Sequence, residues 1–362
     1  MRVGLISPLY ESVPPLLYGG TERVVHNLCR GLSAAGVDVT LFASGDSRSV
    51  GRLVSGVAQS LRLAYPESPN LVMDTLPQNM SYLGQVAALS DDFDILHNHH
   101  DYWMLPLARM SRTPLITTLH GQLRMPWLRE AYSSFPEAGF ISISESQRSA
   151  LPDLDWRRTI YHGIELADFQ FHPMPGQYLA FLGRMSAEKR PDWAIEIALR
   201  AGVPIKLAAK IEGKRDREFF EERVKPKIDG RNVEYVGEIS EAEKSKFLGE
   251  ALGLVFPIDW DEPFGLVMIE ALACGTPVLA RPFGSVPEVM RPGVTGFVSE
   301  RIDDLVRAVQ LLPQLNRAHC RRYVADNFSL QKMIEEYLDV YRSTISRGAR
   351  SHRRDSQTLL QG

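Results

Sequence analysis

Cysteine is scarce in this sequence: its 362 residues hold three, Cys29, Cys274 and Cys320. None forms a CxxC pair, and so sparse and odd a set argues against a disulfide framework and suits a reducing cytoplasm. No apolar run reaches the roughly 20 residues a membrane-spanning helix needs. Any membrane contact is therefore expected to be peripheral, at the inner face. The opening "MRVGLISPLY" is too short and too early for a signal-peptide core and reads as a strand. Excess charge is missing too. Lys and Arg total 41 against 44 Asp and Glu, a net of −3, so no global field gathers nucleic acid. GxxxxGK followed by Ser or Thr is absent, which excludes a P-loop. GxGxxG is absent as well, and a nicotinamide site has no support. "HNHH" at 97–100 puts its rings on alternating faces of a strand end with only Asp101 nearby, a poor metal pattern.

What is present is a length that one core rarely covers, so two domains are expected. In the first, "RVGLIS" (2–7), "VDVTLFAS" (37–44), "FDILHNH" (93–99), "PLITTLHG" (114–121) and "GFISIS" (139–144) read as short buried strands. After the first of them, "GTERVVHNLCRGLSAAG" (20–36) carries Val24, Val25, Leu28 and Leu32 on one helical face and stops at Gly36. At 165–178 the segment "ELADFQFHPMPGQY" breaks the rhythm as a linker would. A second series follows: "YLAFLGR" (178–184), "PIKLAAK" (204–210), "VEYVGE" (233–238), "LGLVFP" (252–257) and "TPVLAR" (276–281). Helices separate them, one opened by Ser240 and Glu243 as a capping box. The expected fold is α/β, two Rossmann-like doubly wound domains facing a cleft, with ligands at the carboxyl ends of strands. The domains are placed at 1–168 and 169–328. A final helix lies within 329–345, and the polar, basic 346–362 reads as a disordered tail.

Chemistry concentrates in "DWDEPFGLVMIEALACGTPVLA" (259–280). A helix is expected from Gly265 to Ala273, entered through Pro263 and stopped by Gly275. The amides of Phe264, Gly265 and Leu266 then stand at the positive end of the helix, where an anion is favoured. Glu270 lies about one and a half turns in. If phosphates met the helix start, a ribose would sit near it, and a carboxylate accepts from two vicinal hydroxyls. Glu262, in the preceding loop, would reach the group beyond the phosphates. One such glutamate alone reads as a helix-start charge; two, with a glycine between and a strand end before, point to a ligand.

In "FLGRMSAEKRP" (181–191) a strand ends at Gly183, and Arg184 and Lys189 follow. A guanidinium fork and a compact ammonium there suit a diphosphate leaving group, with no metal required. In "LLYGGTERVV" (16–25), Gly19 and Gly20 precede a helix start and suit an anion-binding loop, room for an acceptor, or a plain turn. His120 ends the strand in "TTLHG" (117–121), where a neutral imidazole can bond a sugar hydroxyl or be a satisfied core residue.

These segments resemble retaining glycosyltransferases of the GT-B fold, family 4. The resemblance rests on the Glu262-x7-Glu270 element within "EPFGLVMIEALACGTPVLA", on the Arg-x4-Lys of "GRMSAEKRP", on "GGTERVV" and on "GSVPEVMRPGVTGFV" (284–298). It runs from Met1 to about Tyr341 and is most specific in the C-terminal half. It implies transfer of a hexose from a nucleotide diphosphate sugar to a carbohydrate or lipid-linked hydroxyl. UDP-glucose is the first donor implied and GDP-mannose the second. It also implies that Glu270 binds the donor ribose and that Arg184 and Lys189 hold the diphosphate. Glu262 and the Phe264–Leu266 amides would contact the donor sugar and phosphate. His120 would lie beside the donor sugar, and Gly19 and Gly20 would line the diphosphate and acceptor side. Glu262, His120, Arg184 and Lys189 form the expected catalytic group, with no cofactor and no metal, and the last helix would cross back to the N-terminal domain. The sequence departs from the family at "YHGIE" (161–165), where His162 stands for a common Asn. In "GQLRMPWLRE" (121–130), Trp127 and Leu128 between Arg124 and Arg129 suit either a lipid-linked acceptor or a plain amphipathic helix start. A nucleotide-sugar epimerase, a sugar phosphorylase or a non-catalytic nucleotide-sugar binder would use many of the same residues.

Overall fold

The computed structural model describes residues 1–17, 19–68 and 70–359, with side chains as far as Arg347. The chain divides into two units, Met1–Gly163 with Leu330–Gly362, and Ile164–Ser329. The ends of the second unit run side by side: Ile164 N donates to the Phe328 carbonyl at 3.0 Å, and Ile164 bridges to Ser329.

The first unit holds β1 (Arg2–Ile6), β2 (Asp38–Ser44), β3 (Arg52–Val57), β4 (Ile95–Asn98), β5 (Leu115–Thr118), β6 (Gly139–Ser142) and β7 (Trp156–Thr159). All pair in parallel, in the order β3-β2-β1-β4-β5-β6-β7. The winding reverses between β1 and β4. At such a point the crossovers leave on opposite faces and a crevice opens at the carboxyl ends. Every position of β4, β5 and β6 is buried, as strands covered on both faces require. The helix Gly20–Ala34 buries Val24, Val25, Leu28 and Leu32 to 1% exposure or less. It packs on the C-terminal helix Leu330–Leu359, whose Leu330, Met333, Ile334, Tyr337, Val340 and Tyr341 join the same core as Ile95 and Ile116. A Cβ at Gly31 would stand 2.4 Å from Ile334 Cγ1, so the two helices meet at a glycine. The last helix continues to Leu359 and not 345. From Ser346 on, the sequence has no proline and one glycine before Leu359, and little stops a helix already nucleated. The expected tail is thus helical as far as Leu359, and residues 360–362 lie outside the described residues.

The second unit holds β8 (Leu179–Arg184), β9 (Ile205–Lys210), β10 (Val233–Gly237), β11 (Gly253–Phe256), β12 (Val278–Ala280) and β13 (Gly296–Val298). They form one parallel sheet, β10-β9-β8-β11-β12-β13, with its reversal between β8 and β11. Its core gathers Leu179, Phe181, Ile195, Leu207, Val255 and Leu279. The fold is therefore α/β with two Rossmann-like doubly wound units. Three strands were not expected: β3, β7 and β13, each at the edge of its sheet. Among the described residues no helix is long and apolar enough to cross a membrane.

Candidate functional site

In the second unit the reversal lies between the ends of β8 at Arg184 and β11 at Phe256. Asp259 N donates to the Glu188 carbonyl at 2.8 Å, tying the loop after β11 to the turn after β8. This brings Lys189 and Glu262 together. Lys189 Nζ donates to Glu262 Oε2 at 2.5 Å, with the two side chains only 13% and 8% exposed. The same carboxylate oxygen accepts from Trp260 Nε1 at 2.9 Å. The Lys189 ammonium also sits 4.7 Å from the Trp260 ring centroid, a cation–π distance. Arg184 pairs with Glu188 and stands 3.5 Å from Asp216 Oδ2. Burial raises the Asp216 carboxyl above its ordinary range, and Arg184 opposes that rise. Both cations are among the candidates named from the sequence; Glu188, Asp216 and Trp260 carry no local signal there.

The helix Leu266–Ala273 begins at Gly265, whose φ of 78° is left-handed. A Cβ at Gly265 would lie 2.7 Å from Met268 Cε. A glycine here also offers no side chain to take up the first amides, which leaves them for an anion. Phe264 is 2% exposed, and its carbonyl accepts from Ser285 Oγ at 2.8 Å. Gly284, at φ 60°, wedges against the Glu262 backbone, where a Cβ would come within 2.2 Å of Glu262 N. Ser285 N then donates to the Glu262 carbonyl at 2.9 Å. Glu262 is thus fixed through both its backbone and its carboxylate. Glu270 is 4% exposed, and its Oε1 accepts from Lys244 Nζ at 2.8 Å. Lys244 also pairs with Glu241 at 2.9 Å. It rises from the helix Glu241–Gly249, which the Ser240–Glu243 capping box opens. Lys244 was not foreseen.

Gly19, Gly20 and His120 belong to the first unit. Gly19 is the N-cap of Gly20–Ala34, and a Cβ there would meet Pro15 Cβ at 2.6 Å. His120 lies just beyond β5 within a run of imidazoles. His97 Nδ1 meets the Tyr341 hydroxyl and its Nε2 the Thr118 hydroxyl, both at 2.7 Å. His100 Nε2 meets Asn79 Oδ1 at 2.6 Å. His99 Nδ1 meets His120 Nε2 at 2.9 Å, and His162 stacks on His120 with centroids 5.3 Å apart. Burial holds His97, His99 and His162 well below the ordinary histidine value, and holds His100 and His120 at about 3. "HNHH" is therefore a set of buried hydrogen-bonding rings.

Two parallel doubly wound units, one with paired cations and an open helix start at its reversal, define the GT-B class of fold. Residues 165–326 match the family described as Glycosyl transferases group 1, and residues 18–168 match Glycosyltransferase Family 4. The chain belongs to glycosyltransferase family 4 and is a glycosyltransferase. It is similar to the glycogen synthase of Mycobacterium tuberculosis, 27% identical over 346 residues, covering 82% of this chain and 81% of that protein. It is also similar to the phosphatidyl-myo-inositol mannosyltransferase of Mycobacterium leprae, 25% identical over 358 residues and 90% of each chain. The solved structure of Anabaena HepE in complex with UDP-glucose shares the fold. Its TM-score is 0.72 at 16% identity, over 95% of this chain and all of HepE (100%).

Proposed function

We propose that this enzyme is a retaining hexosyltransferase. It takes a hexose from a nucleoside diphosphate sugar and passes it to a hydroxyl of a carbohydrate or lipid-linked acceptor, in polysaccharide or glycoconjugate biosynthesis. UDP-glucose is the first donor to test and GDP-mannose the second, in keeping with what HepE binds and what the mycobacterial relative is named for. The observation that carries the reading is the nearly buried Lys189–Glu262 pair at the carboxyl ends of β8 and β11, with Arg184 the last residue of β8.

As the glycosidic bond breaks, negative charge grows on the departing diphosphate. Arg184, Lys189 and the first amides of Leu266–Ala273 face that charge, and fixed donors aimed at developing charge are the strongest electrostatic aid an enzyme has. The diphosphate competes with Glu188 and Glu262 for their cations. Glu262, relieved of Lys189, takes hydroxyls of the sugar. Glu270 accepts from the ribose hydroxyls with Lys244 behind it. His120 bonds the donor sugar, and the Gly19–Gly20 turn serves the diphosphate and acceptor side. With two cations already at the leaving group, the reaction needs no divalent ion. The leaving phosphate takes the acceptor proton. Trp127, 64% exposed at the start of the helix Pro126–Ser133, suits an acceptor presented at a membrane surface, with the enzyme working in the cytoplasm.

The test is nucleotide release from UDP-glucose and GDP-mannose with and without oligosaccharide acceptors in EDTA, with the product anomer read by NMR. Acceptor-dependent release that survives EDTA and keeps the donor's configuration is expected. An inverted product overturns the retaining assignment. Turnover that needs no acceptor points to an epimerase, and turnover that consumes inorganic phosphate to a phosphorylase.

A further inference from the structure

The contact between His99 and His120 has a proton to place. At 2.9 Å, Nδ1 of His99 and Nε2 of His120 share one hydrogen bond, so one of the two nitrogens carries the hydrogen and the other accepts. His99 is 2% exposed, and among the described residues its Nε2 has no hydrogen-bond partner. That atom decides between the two arrangements. If His120 Nε2–H donates, His99 must carry its own hydrogen on Nε2, and a buried N–H is left with no acceptor. If His99 Nδ1–H donates, His99 Nε2 is a bare lone pair. Orphaned buried N–H groups are the rarer and costlier defect. The neighbouring ring offers no alternative, because both nitrogens of His97 are occupied by Tyr341 and Thr118. The Thr118 hydroxyl is held in turn by the Tyr337 hydroxyl at 3.1 Å.

We infer that His99 fixes His120 as the Nδ1–H tautomer, so that the half-buried His120 meets its ligand as a hydrogen-bond donor and not as a base. His99 is then a positioning residue, acting on the ligand only through His120. His162, the residue that departs from the family pattern, stacks on the His120 ring and holds its plane. The consequence for sugar binding rests on the function proposed above; the tautomer does not.

The experiment is long-range proton–nitrogen NMR on the full chain labelled with 15N-histidine, with His120 assigned from the spectrum of H120Q. A protonated Nδ1 and a bare Nε2 are expected for His120. His99→Asn keeps an N–H donor near the Nδ1 position and should leave the His120 pattern unchanged. His99→Leu removes the donor and should move hydrogen onto His120 Nε2. Protonated Nε2 in the wild type overturns the inference, and so does an unchanged His120 pattern in a folded His99→Leu. Should His99→Leu fail to fold, the wild-type and His99→Asn spectra still decide. With a donor sugar, kcat is expected to fall about tenfold in His99→Leu and to be restored in His99→Asn. The expected spectrum in a protein that transfers no sugar would refute the function and leave the tautomer standing.

Discussion

Replacing Lys189 by Met separates what this residue does for the fold from what it does for the reaction. Its ammonium is paired with Glu262, and both side chains are nearly buried. Breaking a buried pair from one side costs about 3–5 kcal/mol when the remaining charge is stranded. Glu262 is not wholly stranded, since it keeps the Trp260 Nε1 donor, so the cost should lie at or just below the foot of that range, about 2–3 kcal/mol. For a unit of this size that is a fall in Tm of roughly 5–10 °C. Glu262→Gln alone should cost about 2 kcal/mol, because it leaves the ammonium buried with only aromatic rings and a neutral amide. The double variant, Lys189→Met with Glu262→Gln, removes both charges and should return to within about 1 kcal/mol of the wild type. Turnover should behave otherwise. Both variants lacking Lys189 lose the cation proposed to face the leaving diphosphate and should fall by about two to three orders of magnitude at saturating donor. Calorimetry of the ligand-free protein and initial rates of nucleotide release give the two readouts. Equal Tm losses in the single and double variants, or wild-type turnover in Lys189→Met, would refute this reasoning.

Three further outcomes are expected. Gly284→Ala places a Cβ within 2.3 Å of both N and O of Glu262, so the backbone itself must move. Turnover should fall about a hundredfold through misplacement of Glu262, with a lower Tm from the left-handed strain, and wild-type rates would show that this clamp is unused. Lys244→Met should weaken UDP about tenfold while changing 2′,3′-dideoxy-UDP little; equal losses for both ligands would mean that Lys244 does not act through the ribose. Stability should fall in acid. His97, His99, His100, His120 and His162 are held neutral below the ordinary 6.5, so below that pH the unfolded chain binds protons that the folded chain refuses. The contribution is complete above about pH 6.5 and is lost at roughly 1.4 kcal/mol per pH unit per histidine on acidification. For His100 and His120 the loss runs on toward about 3. The calorimetric Tm should drop between about pH 7 and 5, and His100→Gln should lessen the drop; a flat profile would contradict neutral burial.

Most of the strands that could be read from sequence are covered on both faces, the edge strand β10 being the exception. "DVTLFAS" and "GLVF" bury nearly every residue, so they appear as unbroken apolar runs. The strands that could not be read are edges. "RLVSGV" is half exposed along its length, and in "WRRT" only Trp156 is buried. An edge strand forms because a neighbour offers its backbone, and its side chains need carry no apolar pattern. β13 is shorter still, three residues paired to β12. The extent of the last helix is hidden in the sequence for a related reason. Beyond Ile345 the apolar stripe ceases, yet an existing helix extends through polar residues without needing one.

The candidate site divides along the same line. Glu262, Gly265 and Glu270 are close in sequence, and a turn followed by one helix sets their relation. Their spacing therefore carries geometry before any tertiary contact is known. Lys244 has no such mark. In "SEAEKSKFLGE" it is one charge among several on a helix with little apolar character, and a solvated face is the natural reading. It is partly buried only because that helix packs on Leu266–Ala273 and brings it to Glu270. The histidine run is a stronger case. His97 is satisfied by a tyrosine 244 positions away, and its other nitrogen by Thr118, which a second tyrosine of the same late helix holds. A ligand-binding pattern and a buried hydrogen-bonded pattern in "HNHH" differ only in what stands opposite. What stands opposite comes from far along the chain, Tyr341 for His97, His120 for His99 and Asn79 for His100, so no local window of sequence can tell them apart.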